Sequence, residues 1–400
     1  MSLLKIKIRI LKFYEISSIF FIDISYFIPT IILKVLKIEF VNIYTQAVGH
    51  LLLDSDTHIK KKQLKLIPNN KSVLLVDRKD ISNLYFIKYL EMYFIVFQNH
   101  YLVKILQPFL DLKRIGVSVI NYTSAIDKTA EIFKINSIWS NKGLKPLFQP
   151  IKSDIIRGNQ ALQDLGVPEN SWFVCLHVRS SGFSTMENIH NYRNTDFDTY
   201  IPAIKYIISM GGLCVRMGDS SMPAAPQISG LIDYAHSEIK ADWLDLYISS
   251  KCKFFIGTGS GASAMAFIFG VPTISLNICP FSSVPLLASG DISIPKLYLN
   301  KINNNLMGFK EIMSSDCSNF RYNDLFVNEQ IEVINNTSEE IKDTVMEMYL
   351  RLSNNWITLP EDEELHDSYL TNLKENHYAF NSSARVGMAF LKKYKNLLNS

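Results

Sequence analysis

The chain has 400 residues, too many for one compact core, and at roughly 150 residues per domain the length points to two or three domains. With 48% hydrophobic and only 20% charged residues, intrinsic disorder of the whole chain is excluded. A formal charge of +3 excludes a global attraction for nucleic acid, so any bound anion must be held locally.

The first element in chain order is a basic and apolar segment over residues 1–40. Lys5, Lys7, Arg9 and Lys12 recur at helix-compatible spacing before an apolar stretch at 17–34 that Asp23 and Pro29 interrupt. No small-residue cleavage site follows. The expectation is a peripheral contact with the inner face of the cytoplasmic membrane, lysines toward anionic headgroups. A helix packed on its own domain and a spanning helix stay open as alternatives. Cys175, Cys214, Cys252, Cys279 and Cys317 show no CxxC spacing and suit a reducing cytoplasm.

Next, VNIYTQAV (41–48) reads as a strand ending in the loop GHLLLD, KSVLLVD (71–77) as a second strand, and ISNLYFIKYLEMYF (81–94) as a helix. This makes 41–150 an α/β domain, closed by the proline-bearing linker NKGLKPLFQPIKSD (141–154). Over 151–352 the order is more regular: strand 171–178, helix from Thr195 to Met210, strands 213–217 and 230–235, helix 241–250, strand 253–257, helix 260–269 and strand 271–277. Such alternation predicts a doubly wound parallel sheet, with ligands outside the carboxyl ends of its strands. A helix at 338–352 follows, and 353–400 reads as a helical extension with a terminal helix near 383–397 and EDEEL (361–365) as a solvated face.

The polar residues of interest cluster at those strand ends. FFIGTGSGASAMAF runs from a strand through a glycine turn into a helix, so Gly259, Ser260 and Gly261 can present main-chain amides to a phosphate. Gly257, Gly259 and Ala262 also satisfy a dinucleotide fingerprint, but the acid that would hold a ribose is missing at the required distance, the next being Asp291. A turn whose glycines serve packing alone stays open. His177 and Arg179 end one strand; Arg216, followed by Gly218 and Asp219, ends the next. An arginine fork there suits a diphosphate. His236 follows the third strand, and Tyr192, Arg193, Asn194, Asp233 and Tyr234 surround the group. His50 in GHLLLD is the candidate catalytic base, with Asp54 and Asp56 comparable. His100, His366 and His377 lack a partner pattern and read as structural. No residues have metal-ligand spacing, so neither a metal nor another cofactor is expected.

Taken together, HVRSSGF (177–183), YRNTD (192–196), RMGD (216–219), DYAHS (233–237) and FIGTGSG (255–261) resemble a bacterial family of GT-B glycosyltransferases found among surface-polysaccharide genes. The resemblance runs over about 45–350. The HVR element is also similar to the HxR element of fucosyltransferases, whose arginine contacts the donor diphosphate. The resemblance implies two Rossmann-like domains facing a cleft. It places that arginine's role on Arg179 and the amide nest at Gly259, Ser260 and Gly261 beneath the same group. GHLLLD resembles the GH loop of the family's first domain, in keeping with His50 facing the cleft. One departure is Met265, where many GT-B enzymes carry a glutamate that grips the donor ribose.

The expected activity is metal-independent transfer of a sugar from a nucleotide diphosphate to a hydroxyl of a glycan or lipid-linked acceptor, with inversion. Alternatives are a non-catalytic nucleotide-sugar-binding or scaffold protein at the membrane and a sugar-nucleotide 2-epimerase.

Overall fold

A computed structural model describes residues 27–111, 118–122, 125–179, 189–285, 288–373, 377, 379–380 and 382–398. Residues 5–12, the greater part of the apolar stretch at 17–34, and 180–183 of the HVRSSGF motif lie outside them. The chain divides into two compact units, residues 1–125 and 126–400.

The first unit is built on a parallel four-stranded sheet in the order β3-β2-β1-β4. Its strands are β1 (Ile38–Asn42), β2 (Lys71–Leu75), β3 (Phe94–Phe97) and β4 (Val119–Asn121). The helices are α1 (residues 27–35), α2 (Val48–Gln63), the single turn α3 (Ile87–Leu90), α4 (His100–Leu106) and α5 (Pro108–Asp111). GHLLLD is not a loop: the helical spacing of buried Leu51, Leu52 and Ile59 starts α2 at Val48, so His50 stands in its first turn. The long helix over 81–94 is replaced by turns around α3, where the Asn83 side chain accepts the Phe86 N–H, and β3 begins only at the segment's last residue, Phe94. At the amino end of the sheet a buried network ties α2 to β1 and β2. Glu39 accepts from Ser72 at 3.0 Å and pairs with Lys62 at 3.0 Å and His58 at 3.4 Å. Burial works to raise the Glu39 pKa, yet these partners bring it down to about 2.

In the second unit, β5 (Phe173–His177), β6 (Leu213–Arg216), β7 (Leu231–Ile232), β8 (Phe255–Gly257), β9 (Thr273–Ile278), β10 (Ile292–Pro295) and β14 (Arg385–Val386) form a parallel seven-stranded sheet. Its order is β14-β10-β9-β8-β5-β6-β7. A small antiparallel sheet, β12-β11-β13, comprises β11 (Leu297–Asn300), β12 (Asn305–Leu306) and β13 (Ile331–Ile334). The helices are α6 (Ala125–Asn141), α7 (Lys152–Asp164), α8 (Ile201–Ser209), α9 (Asp242–Lys251), α10 (Ala264–Phe267), α11 (Phe309–Ser314), α12 (Asn323–Asn328), α13 (Ser338–Leu352), α14 (Pro360–Thr371) and α15 (Met388–Lys393). One continuous core joins strands β5, β6, β8, β9 and β10 to α8, α13 and α15. On α7, a Cβ at Gly158 would stand 2.3 Å from the Tyr247 ring of α9, so only glycine allows that approach.

The compact units part at Ala125, upstream of the linker near 150, because α6 belongs to the second unit: the Trp139 indole donates to the Lys145 carbonyl and Ser140 accepts from Ser289. Residues 353–400 are not an appendage either, since β14 extends the main sheet and Ala384, Val386, Met388, Phe390 and Leu391 lie in its core. In EDEEL the three glutamates are exposed, as a solvated face requires, while Asp362 is buried and pairs with Lys392 at 2.6 Å and Glu363 pairs with Arg385 at 2.7 Å. The helix expected over 195–210 begins late. Asp196, not Thr195, caps a 3₁₀ turn at Phe197–Tyr200, and α8 follows.

Candidate functional site

The order of the second sheet reverses between β5 and β8: β6 and β7 extend it on one side, β9 and β10 on the other. In an open α/β sheet this reversal leaves a crevice at the carboxyl ends of the two central strands. His177 of β5 is in register with Gly257 of β8, so the HVR element and the glycine turn lie side by side there.

The Arg179 N–H donates to Thr258 Oγ1 at 3.1 Å, locking the two strand ends together, while the Arg179 side chain donates from Nε to Asn194 Oδ1 at 3.2 Å. The Thr195 N–H donates to the Arg179 carbonyl at 3.0 Å and folds the YRNTD loop over β5. This swings the Arg193 guanidinium onto the Gly259 carbonyl. Burial lowers the pKa of both arginines from the ordinary range, and Arg193 adds to the effect on Arg179 while Arg321 adds to the effect on Arg193. His177 is driven to about 4 by burial and by the Arg216 and Arg179 charges, so its ring is neutral at pH 7. Its Nδ1 is buried with no hydrogen-bond partner among the described residues.

Arg216 does not join this group as a free fork. Only 2% exposed, it donates to Asp233 Oδ1 at 2.8 Å and to the Pro223 carbonyl at 2.7 Å. Asp233 in turn accepts from the Ala225 N–H and pairs with His236 at 3.0 Å. DYAHS and RMGD thus close the loops after β6 and β7. Gly218 has a φ of +143°, which glycine favours, and Asp219 accepts the Ser221 N–H. Within the glycine turn the Ser260 N–H is turned back onto the Thr258 carbonyl, and the Ser260 hydroxyl accepts the Ala262 N–H. The helix expected over 260–269 is a 3₁₀ turn at Gly261–Ser263 followed by α10, which stops before Gly270 at φ +73°. One helical turn carries only a small dipole, so the anion-attracting character of the crevice comes from guanidinium groups.

Sequence reading gave Arg193 no role of its own because its neighbours mark a loop, and only the fold lays it across Gly259. Lys296, between β10 and β11, is a second residue it missed. The side chain is 1% exposed, and Nζ donates to the Tyr192 carbonyl at 2.7 Å and the Asn194 carbonyl at 2.9 Å. Among the described residues no carboxylate pairs with Arg193, Lys296 or Arg321.

In the first unit the strand order reverses between β1 and β4, and the chain leaving β1 leads directly to His50. His50 Nδ1 lies 3.3 Å from Asp54 Oδ2, one helical turn on, and its half-exposed ring meets Tyr44 edge-on. The Asp54 bond, opposed by burial, raises the His50 pKa above its ordinary value. Asp56 is buried and pairs with Lys60 at 2.6 Å. His100, read as structural, has a partner after all: its Nδ1 stands 2.5 Å from Asp77 Oδ2, beyond the carboxyl ends of β3 and β2. His377 bonds the Ser282 carbonyl, and burial brings His366 down to about 4. No three His, Cys, Asp or Glu side chains among the described residues are grouped to hold a metal ion.

No family model and no curated protein matches the chain. Among solved structures, it is similar to a glycosyl transferase family 9 protein from Veillonella parvula, with 11% identity, 65% of this chain and 86% of that chain covered, and a TM-score of 0.40. It is also similar to the E. coli ADP-heptose LPS heptosyltransferase II, with 13% identity, 65% and 90% covered, and a TM-score of 0.38. Both likenesses are too distant to carry an activity across.

Proposed function

We propose that the chain is a GT-B glycosyltransferase that moves a sugar from a nucleotide-diphosphate donor to an acceptor hydroxyl, without a metal and with inversion. The carrying observation is that Arg179 and Arg193 both meet the turn at the switch point of the second sheet, the first through its N–H on Thr258 and the second through its guanidinium on the Gly259 carbonyl. Arg193 is a partly buried cation with no carboxylate partner among the described residues, and a bound diphosphate is an anion of suitable charge to pair with it. As the glycosidic bond lengthens, charge grows on the departing diphosphate, and guanidinium donors fixed in place stabilise that stage more than the ground state. In this reading His50 takes the acceptor proton at Nε2, with Asp54 holding Nδ1 so that the ring presents the correct tautomer. The acceptor is a glycan or lipid-linked hydroxyl.

Titration with UDP, GDP, ADP and CMP, followed by mass spectrometry of donor turnover with and without acceptor, tests the proposal. Binding and transfer are expected. Binding without consumption would favour a nucleotide-sugar-binding or scaffold protein, and donor altered without acceptor a 2-epimerase.

A membrane-surface location is part of the same proposal. Phe27, Ile28, Ile31, Ile32 and Val35 are exposed along one stripe of α1, whose Leu33 packs on the sheet face that also takes Leu106 of α4. Tyr101, Leu102 and Ile105 of α4 are exposed too, and the only charges on either helix are Lys34 and Lys104. This chemistry suits an anionic bilayer surface. No helix among the described residues is long and apolar enough to cross a membrane. Cosedimentation with phosphatidylglycerol vesicles, weakened by Ile28→Asp with Ile32→Asp, is the expected result.

A further inference from the structure

A lysine with almost no exposure is unusual, because removing an ammonium from water is repaid only by good partners, most often a carboxylate. Lys296 has none among the described residues. Its partners are the main-chain carbonyls of Tyr192 and Asn194, the residues on either side of Arg193. The loop is also held by the 3₁₀ turn bonds from the Arg193 and Asn194 N–H groups to the His190 and Asn191 carbonyls, by the Thr195 N–H on the Arg179 carbonyl, by Arg179 Nε on Asn194 Oδ1 and by the aromatic contact of Tyr192 with Phe326 at 5.4 Å. With both flanking carbonyls fixed by one ammonium, the backbone of Arg193 cannot rotate freely, and its guanidinium is held over Gly259.

We propose that Lys296 is a positioning residue for diphosphate binding: through the Tyr192 and Asn194 carbonyls it fixes Arg193 and adds a positive charge behind it. This rests on the diphosphate reading of the switch-point crevice.

The same placement makes the seat sensitive to alkaline pH. Burial and the Arg193 charge, partly offset by Cys279, lower the Lys296 pKa to about 8. The other titratable groups around it stay protonated in that range. Burial pushes the Tyr192 phenol and the Cys279 thiol up to about 12 and the Tyr298 phenol up as well, while Arg193, though lowered, remains a guanidinium. Lys296 is the member of this group that loses its charge between pH 7 and 10. An incoming diphosphate favours the protonated lysine, so binding above pH 8 draws a proton from solution.

The test is calorimetric titration of the full chain with UDP, GDP and ADP from pH 7 to 9.5, repeated at pH 8.5 in buffers of different ionisation enthalpy, with wild type, Lys296→Met, Lys296→Arg and Arg193→Ala. Wild type is expected to lose affinity as pH rises through about 8, with proton uptake at pH 8.5. Lys296→Met should bind about 10- to 100-fold more weakly at pH 7, the range for losing charge-assisted hydrogen bonds, and show no alkaline step. Lys296→Arg should recover part of the affinity and move the step out of range. Thermal melts check folding of each variant. Arg193→Ala losing binding while Lys296→Met binds like wild type would overturn the positioning role and leave the diphosphate seat standing. A wild-type profile flat from pH 7 to 9.5 would overturn it too, even if Lys296→Met does not fold. Wild type that binds no nucleoside diphosphate would overturn both.

Discussion

The carboxyl edges of the two parallel sheets differ in the charges they gather. In the first unit the residues beyond the strand ends are histidine–carboxylate pairs: His50 with Asp54, and His100 with Asp77. In the second, the Arg179 N–H and the Arg193 guanidinium meet the glycine turn, Lys296 holds the carbonyls beside Arg193, and Asp233 is shared by Arg216 and His236. The first arrangement suits moving a proton and the second suits holding an anion. The contrast teaches that equivalent positions of one sheet architecture are defined by the segment leaving each strand: a helix that starts soon after, as α2 does, or a turn whose carbonyl a guanidinium reaches.

The largest expected effect breaks the first edge alone. His50→Asn should lower transfer by about 10²- to 10⁴-fold, the contribution of a general base, while nucleoside-diphosphate affinity measured by calorimetry stays at the wild-type level. Equal loss of binding would erase the distinction between the edges. A smaller effect sharpens the second edge. Arg216→Ala should cost stability, about 3 kcal/mol in denaturant melts for leaving Asp233 without its buried partner, and should change the affinity of the folded protein far less than Arg193→Ala does. The smallest is a displacement in pH. His50 must be neutral to accept a proton, so transfer falls as pH drops through its raised pKa. Asp54→Asn removes the hydrogen-bonded carboxylate that raises it, and the acid limb should move to lower pH, read from the pH profile of the transfer rate.

Much of the second sheet was legible because its central strands are short apolar runs; β5, β6, β8 and α13 lie within their expected segments, and β9 runs one residue past its own. Arg179 was legible for the same reason, since a charge at the end of an apolar strand must emerge at the sheet edge. Arg216 looked equivalent and is not. It also ends a strand, but Asp233 is 17 residues away in sequence and reaches it only because β6 and β7 pair. The 81–94 segment misled because its apolar spacing fits a long helix, while the structure keeps only the single turn Ile87–Leu90 between turns, the first of them tied by Asn83.

Local sequence by itself determined the alternation of strands and helices in the second unit, the glycine turn after β8 and the arginine at the mouth of β5, because propensity, periodicity and chain direction act over a few residues. Tertiary structure alone decided which cations meet. Arg193 reaches Gly259 across 66 residues and Lys296 reaches Tyr192 across 104, contacts set by strand order and loop closure, for which no short stretch of chain carries a signal.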